Sequence, residues 1–455
     1  MPFSDLPNEV VHLILVPAVW VRGLKRAVRL RLVSRTWNAA VEDAIFDSGI
    51  LDENGLVNRI RREVDFAFWH RYLIYRALHN AKPSSMGLVL IRQTAERIVE
   101  MRGRNLADSQ EAVRECVGEL CHAVLVFGGC GQISTYLAPE AGAIGRLDED
   151  FHLFRRALVS AAAYMNDLDL GRLALSSHPD GRPPNDRAMM YTLGIFFDPY
   201  QLAAYRGNKD FISLLLDNET ETTIQRSSHR ATIAYSAIMG SQMGVLDYAL
   251  GSSFSTDSSD YMVLRESLVS GLSTIPSIDI FERCFDLVKD RLQHPCRPYN
   301  GIHRQKWLLS RLHTAAECGA VPVMEYLVKQ GASVNGRFSD KESPFSRPIS
   351  LAALKGHEDA VKWLLSQGAN LDRSLQAAVA GGSRRIMQIL MDHGAMNDKS
   401  AVKLALLEAV ETEREDLFRF LMEHGAVFDD ATRKEAVEIA EEEQLESMAS
   451  FIKGF

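Results

Sequence analysis

Cysteine is scarce in this chain, with 6 among 455 residues. None falls into the short paired spacings of a disulfide framework, so crosslinks are not expected to hold the fold and a reducing compartment, cytoplasm or nucleus, is expected. Long apolar runs are missing too. The best candidate, residues 10–21, is interrupted by His12 and Pro17 and falls short of the roughly 18 residues that suggest a membrane span. It follows Asp5 and Glu9, the wrong charge for a signal peptide. There is no excess of positive charge: the formal net charge is −8, which argues against nucleic-acid binding by the whole chain and leaves only a local basic patch open.

Catalytic signatures are absent as well. No Gly-x-Ser-x-Gly, His-Glu-x-x-His or Walker-type loop occurs. Gly128-Gly129-Cys130-Gly131 has the glycines of a phosphate loop but no Gly-Lys-Ser/Thr after it, and reads as a helix terminator. Cys116 and Cys121 are five positions apart, about 140° around a helix, so with His122 and Cys130 they do not converge on zinc. Neither enzyme activity, nor a cofactor, nor a metal is expected.

What the chain does contain is repetition. Leu312, Ala315, Ala316, Gly319, Leu327, Gly331 and Ala332 recur as Leu351, Ala352, Ala353, Gly356, Leu364, Gly368 and Ala369. Each copy reads as two short helices with a glycine after each, an αα-hairpin that cannot bury its apolar face alone and must stack on its neighbours. Ser310-Arg-Leu-His313-Thr-Ala315, Arg347-Pro348-Ile349-Ser350-Leu-Ala352 and Gly331-Ala-Ser-Val-Asn335 resemble the ankyrin repeat, with its T-P-L-H-x-A start and later G-A-x-x-N. In that family the histidine, here His313, is structural. Further copies are expected at 375–395 and 404–426, and degenerate ones at 158–173, 198–216 and 231–250, the last with Ala234, Ala237 and Gly240 in register.

The N-terminus carries a second pattern. Ser4-Asp5 before Leu6-Pro7 suits a helix start. Val10, Val11, Ile14 and Leu15 then share one helical face, and Leu24, Val28, Leu32 and Val33 another, with Trp37 a turn further. Leu6-Pro7, Glu9, Ile14-Leu15, Leu30, Val33 and Trp37 resemble the F-box, the helical motif of many ubiquitin-ligase receptors. The segment between Leu15 and Val33 is longer than usual for that family. A helical cap over the first repeat accounts for the same residues. Arg22, Lys25, Arg26, Arg29, Arg31 and Arg35 occur with no acid between Glu9 and Glu42. This run suits a solvated helix face, a nuclear-import patch or an acidic protein partner such as the F-box family's adaptor. At the other end Glu435, Glu438, Glu441, Glu442, Glu443 and Glu446 decorate a last helix, as a solubilising cap or an acidic activation surface.

The expected architecture is all-α. Residues 1–50 form an F-box-like helical motif, 51–150 a helical linker or capping region, 151–305 degenerate ankyrin-like repeats, and 306–455 clear ankyrin repeats with the acidic cap. The expected function is protein–protein interaction without a direct nucleic-acid or membrane partner. The resemblances imply a substrate receptor of a cullin-type ligase that docks an adaptor through Leu6, Pro7, Ile14, Leu15, Val33 and Trp37 while its repeats hold a client. The alternative is an ankyrin scaffold or transcriptional co-regulator without ligase activity. The insertion from Gly336 to Arg347 holds both charge signs and two aromatics. Arg337, Phe338, Phe345 and Arg347, helped by Asn335 and Asn370, are the expected partner contacts, and a tolerated surface insertion is the other reading.

Overall fold

Small residues set how closely the helices of this chain approach, and a left-handed residue marks where the first helix of most hairpins stops. The computed structural model describes residues 8–29, 35–52, 66–79, 86–103, 109–128, 151–176, 198–218, 223–251, 258–293, 304–336, 345–443 and 445–455. Among them every regular element is helical and none is a strand. Two compact units form, Met1–Gln225 and Arg226–Phe455.

In unit 1, α1 (Asn8–Arg29) and α2 (Arg35–Ser48) pair as a hairpin against α3 (Phe66–Leu78). α1 runs unbroken through Pro17 for 22 residues, so the two apolar faces expected on α1 and beyond begin within one helix. Leu15 and Val19 are buried and Ile14 is not. Phe46 of α2 packs on the rings of Phe68, Tyr72 and Tyr75, and Arg71 pairs with Glu42 at 2.5 Å. α3 then packs with α4 (Met86–Met101) and α5 (Gln110–Gly128). Two hairpins follow: α6 (Phe151–Met165) with α7 (Leu168–Ser176), and α8 (Pro199–Arg206) with α9 (Lys209–Asp217).

Unit 2 is an α-solenoid. Its hairpins are α10 (Thr223–Met239) with α11 (Met243–Leu250), α12 (Ser258–Gly271) with α13 (Ile278–Gln293), α14 (Arg304–Glu317) with α15 (Val321–Lys329), and α16 (Pro348–Leu354) with α17 (Glu358–Ser366). Then come α18 (Ser374–Ala380) with α19 (Arg384–Asp392), α20 (Lys399–Glu411) with α21 (Glu415–Glu423), and α22 (Asp430–Glu442) with α23 (Glu446–Lys453). First helices pack on first helices from α14 through α22, and second helices on second helices from α13 through α19.

One backbone device recurs through both units. The residue two or three places past the end of a first helix donates its N–H to an alanine carbonyl five residues back. The pairs are Asp167 to Ala162, Asn208 to Ala203, Gln242 to Ala237, Ala320 to Ala315, His357 to Ala352, Ser383 to Ala378, Arg414 to Ala409 and Leu445 to Ala440, all at 2.7–3.1 Å. This is the six-to-one bond of a Schellman turn, which satisfies a carbonyl the helix end would otherwise leave open. Each of these alanines is fully buried, because a larger side chain there would hold the next first helix away. The turn requires a left-handed residue, and Gly207, Gly319, Gly356 and Gly382 supply it at φ 70–82°. In three of the other turns Asn166, Ser241 and Glu413 take φ 52–57°, and the corresponding residue of the α22–α23 turn lies outside the described residues. The structure therefore moves the left-handed position of the α10–α11 turn from Gly240 to Ser241. It also shifts one repeat position: the counterpart of Leu312 is Ile349, three residues before its alanine, rather than Leu351. The α12–α13 link differs, with a 3-10 turn at Leu272–Thr274 and Ile275 at φ 51°.

A left-handed non-glycine residue costs roughly 1–2 kcal/mol, and glycine restores about 0.5–1 kcal/mol of unfolded-chain entropy. Glu413→Gly is therefore expected to stabilise unit 2 by about 0.5–1 kcal/mol. Urea unfolding of the two proteins side by side checks this. A variant no more stable than the parent would mean that the Glu413 side chain contributes as much as the strain removes.

A second recurring device is invisible in the sequence. Arg155 of α6 donates to the carbonyls of Ala174 and Leu175 at the end of α7. Arg230 of α10 donates to Ala249 and Leu250 at the end of α11, from Nε at 2.7 Å. Both arginines are buried, seven positions ahead of the turn alanine. A cation there satisfies open carbonyls and opposes the negative helix end.

Candidate protein-interaction site

The edge formed by the connections between hairpins is most developed between α15 and α18. Asn335 is exposed, yet both ends of its side-chain amide are engaged: Nδ2 donates to Gly368 O at 3.1 Å, and Oδ1 accepts the Asn370 N–H at 2.7 Å. Asn370 Oδ1 in turn accepts from Asp372 N at 2.9 Å. Arg347 donates to Asn335 O at 3.0 Å and pairs with Asp372 at 3.4 Å, and its side chain is only 14% exposed. Ser350 Oγ donates to Asp372 O at 3.2 Å. The structure thus gathers Asn335, Arg347 and Asn370 into one network that holds successive connections in register. Asp372 and Ser350 complete it. Sequence reasoning passed over both, since nothing in the repeat pattern marks an aspartate 25 positions beyond an arginine as its partner.

Phe345 is half-buried rather than exposed. Arg337 and Phe338 lie outside the described residues. The far end of the insertion is anchored: His313 is buried, with Nδ1 2.7 Å from Leu309 O and Nε2 2.7 Å from Ser346 O. His357 bridges the preceding layer in the same way, Nε2 donating to Glu317 O at 2.8 Å. Asn335→Ala removes two hydrogen bonds and is expected to lower local stability by about 1 kcal/mol. Hydrogen exchange at the Asn370 amide should then quicken about fivefold. An unchanged rate would mean that the asparagine side chain does not hold the ladder.

At the N-terminus the expected adaptor residues separate. Leu6, Pro7 and Val33 lie outside the described residues, and Trp37 falls in the first turn of α2. Leu15 is 2% exposed and faces the core. Ile14 points the other way, in a row with Val10, Leu13 and Pro17 at i, i+3, i+4 and i+7, all exposed, Leu13 by 72%. Trp20 is also exposed, its Nε1 donating to Ser48 O at 3.0 Å, and His12 pairs with Asp47 at 2.6 Å. Val10, Leu13 and Pro17 thus belong to a surface of which only Ile14 is expected from the F-box resemblance. Their i, i+3, i+4 spacing is the signal that marks them in the sequence.

The cysteines of α5 are structural in character. Burial pushes the Cys116 thiol up to about 11 and the Cys121 thiol further still, which keeps both protonated and unreactive. Among the described residues no helix is long and apolar enough to cross a membrane.

A family model described as ankyrin repeats, three copies, matches residues 285–374 and 349–432. This chain carries ankyrin repeats. The ankyrin match begins inside α13 and ends inside α22, so it covers the hairpins whose turns hold the glycines Gly319, Gly356 and Gly382. The hairpins α6 to α11 lie outside the matched residues, although they share the alanine–Schellman turn. No curated protein matches the chain.

Proposed function

We propose that this ankyrin-repeat protein is a substrate receptor of a cullin-type ubiquitin ligase, acting in the cytoplasm or nucleus. Protein binding is what ankyrin repeats support, and the carrying observation is the ordered edge built by Asn335, Arg347, Asn370 and Asp372. A connection already held by its own hydrogen bonds loses little entropy when a partner docks. The client is proposed to contact this edge and the insertion, through Arg337, Phe338, Phe345 and the outer surface of Arg347. The adaptor is proposed to dock on α1. What supports that assignment is the outward row of Val10, Leu13, Ile14 and Pro17, which has no covering element among the described residues, followed on the same helix by Arg22, Lys25, Arg26 and Arg29. An apolar row beside a basic run suits an acidic protein surface.

The second reading is a scaffold whose N-terminal hairpin is only a cap. It is favoured by the uninterrupted α1 and by the packing of Phe46 on α3. Co-purification of the full chain with the ligase adaptor separates the two. The wild type is expected to retain the adaptor, and Leu13→Asp with Ile14→Asp to lose it while the helical circular dichroism stays unchanged. A wild type that retains no adaptor ends the ligase reading and leaves the scaffold. Shortening the insertion should alter the set of clients seen by proximity labelling, and an unaltered set would place client binding elsewhere on the repeats.

A further inference from the structure

Unit 1 contains a cleft of about 610 Å³ bounded by α3, α4, α5 and the ends of α6 and α8, within the range of roughly 300–1,000 Å³ typical of small-molecule sites. α5 supplies one wall, with Glu115, Glu119 and His122 at helical spacing. His70 comes from α3, Arg102 from the end of α4 and Arg206 from the end of α8.

Hydrogen-bond polarity places the protons. His70 Nε2 is 2.8 Å from Gly118 O, and a carbonyl only accepts, so Nε2 carries the proton. The Tyr164 hydroxyl accepts from Arg206 and lies 2.6 Å from His122 Nδ1. Burial pushes the Tyr164 phenol up, so it keeps its proton and donates it to His122. Burial and the neighbouring His70 hold His122 below its ordinary value, which leaves its ring neutral. His122 meets His70 at 5.7 Å and Phe66 at 5.3 Å, both edge to face. These rings make an aromatic wall in which the His122 ring is neutral.

The charges around the cleft do not cancel. Arg102 donates to Asp167 at 2.9 Å, and Arg206 faces Glu119 at 3.7 Å. Each cation therefore has its own carboxylate. Glu115 has no ion-pair partner among the described residues. The one uncompensated negative charge, at Glu115, lies two turns from the neutral His122 ring on the same face of α5, and both line the same cleft, a combination that attracts a cation.

We infer that this cleft binds an organic cation, an ammonium or guanidinium group, held by Glu115 within reach of the His70 and His122 rings that line the same cleft. No residue of α1 and none of unit 2 is among the residues named as lining the cleft, so the inference goes beyond the receptor reading and stands or falls separately from it.

The full-length protein, labelled at histidine, tests this by NMR titration with N-acetyl-lysine amide, N-acetyl-arginine amide, spermidine and, as the anionic arm, phosphate. The cations are expected to shift the His70 and His122 ring signals saturably, and phosphate to leave them in place. Glu115→Gln, an exposed and isosteric change, should weaken cation binding about ten- to a hundredfold, the loss of one charge-assisted contact. Saturation by the amino-acid amides assigns the cation to a peptide side chain, and saturation by spermidine alone assigns it to a free polyamine. Three results overturn the inference: no shift with any cation, a shift with phosphate, or equal binding by the Glu115→Gln protein.

Discussion

Phe418→Ala is expected to cost about 3–5 kcal/mol, the largest single-residue effect in unit 2. Phe418 is fully buried, and three rings meet it edge to face: Phe428 at 5.1 Å, Phe455 at 5.4 Å and Phe451 at 5.6 Å. These rings come from the connection after α21, from the chain beyond α23 and from α23 itself. Removing Phe418 therefore opens a cavity and unpins the last hairpin from the one before it. Arg419 over Phe451 at 4.5 Å and Arg433 over Phe428 at 5.5 Å cover the cluster from outside. Phe455→Ala, at a residue 43% exposed, should cost much less. Hydrogen exchange locates the effect: the amides of α21 and α23 should quicken in Phe418→Ala while those of α14 hold. A loss below about 1 kcal/mol, or one spread evenly over the unit, would show that the ring cluster is not what closes this end of the stack.

Gly381→Ala is the second large effect, expected at about 1–3 kcal/mol or more. Gly381 has an ordinary helical φ of −73°, so backbone strain is not the reason. An added Cβ would lie 2.4 Å from Leu354 O and 3.0 Å from Ala353 O, both on the backbone of α16, which no side-chain rotation can relieve. α16 and α18 would have to separate. Gly356→Ala is the matched control. At φ +81° with open space around it, it carries the left-handed cost alone, about 1–2 kcal/mol. Equilibrium unfolding of both variants separates close approach from conformational strain. If Gly381→Ala proves the milder of the two, the helices of the stack are less tightly seated than the carbonyl distances imply.

Much of the fold was legible from residue types. The hairpins α14–α15 and α16–α17 announce themselves through paired alanines and two glycines per unit, because both features answer to local needs: small side chains where helices touch, and glycine where φ is positive. The α6–α7 and α10–α11 hairpins were fainter for a physical reason. Asn166 and Ser241 occupy the left-handed position without being glycine, because the six-to-one bond to a buried alanine determines the turn strongly enough to bear the strain. The candidate site was legible in location more than in role. Asn335, Arg347 and Asn370 were expected as partner contacts, and their polar atoms bond first to one another and to Asp372.

By itself the sequence determined the helical class, the hairpin as the repeating unit, and the alanine and glycine positions of the clear repeats, since each depends on interactions within a few residues. Only the tertiary structure decided which of two adjacent apolar rows on α1 turns inward. A period of 3.6 places Leu15 and Val19 beside Ile14 and Pro17 without saying which row is covered, and it is the packing of α2 that buries the first and leaves the second exposed. The same holds for Arg155 and Arg230. Their register against the carbonyls of a second helix exists only once the hairpin has closed, because the charge must be brought to a helix end that the linear chain keeps 19 residues away.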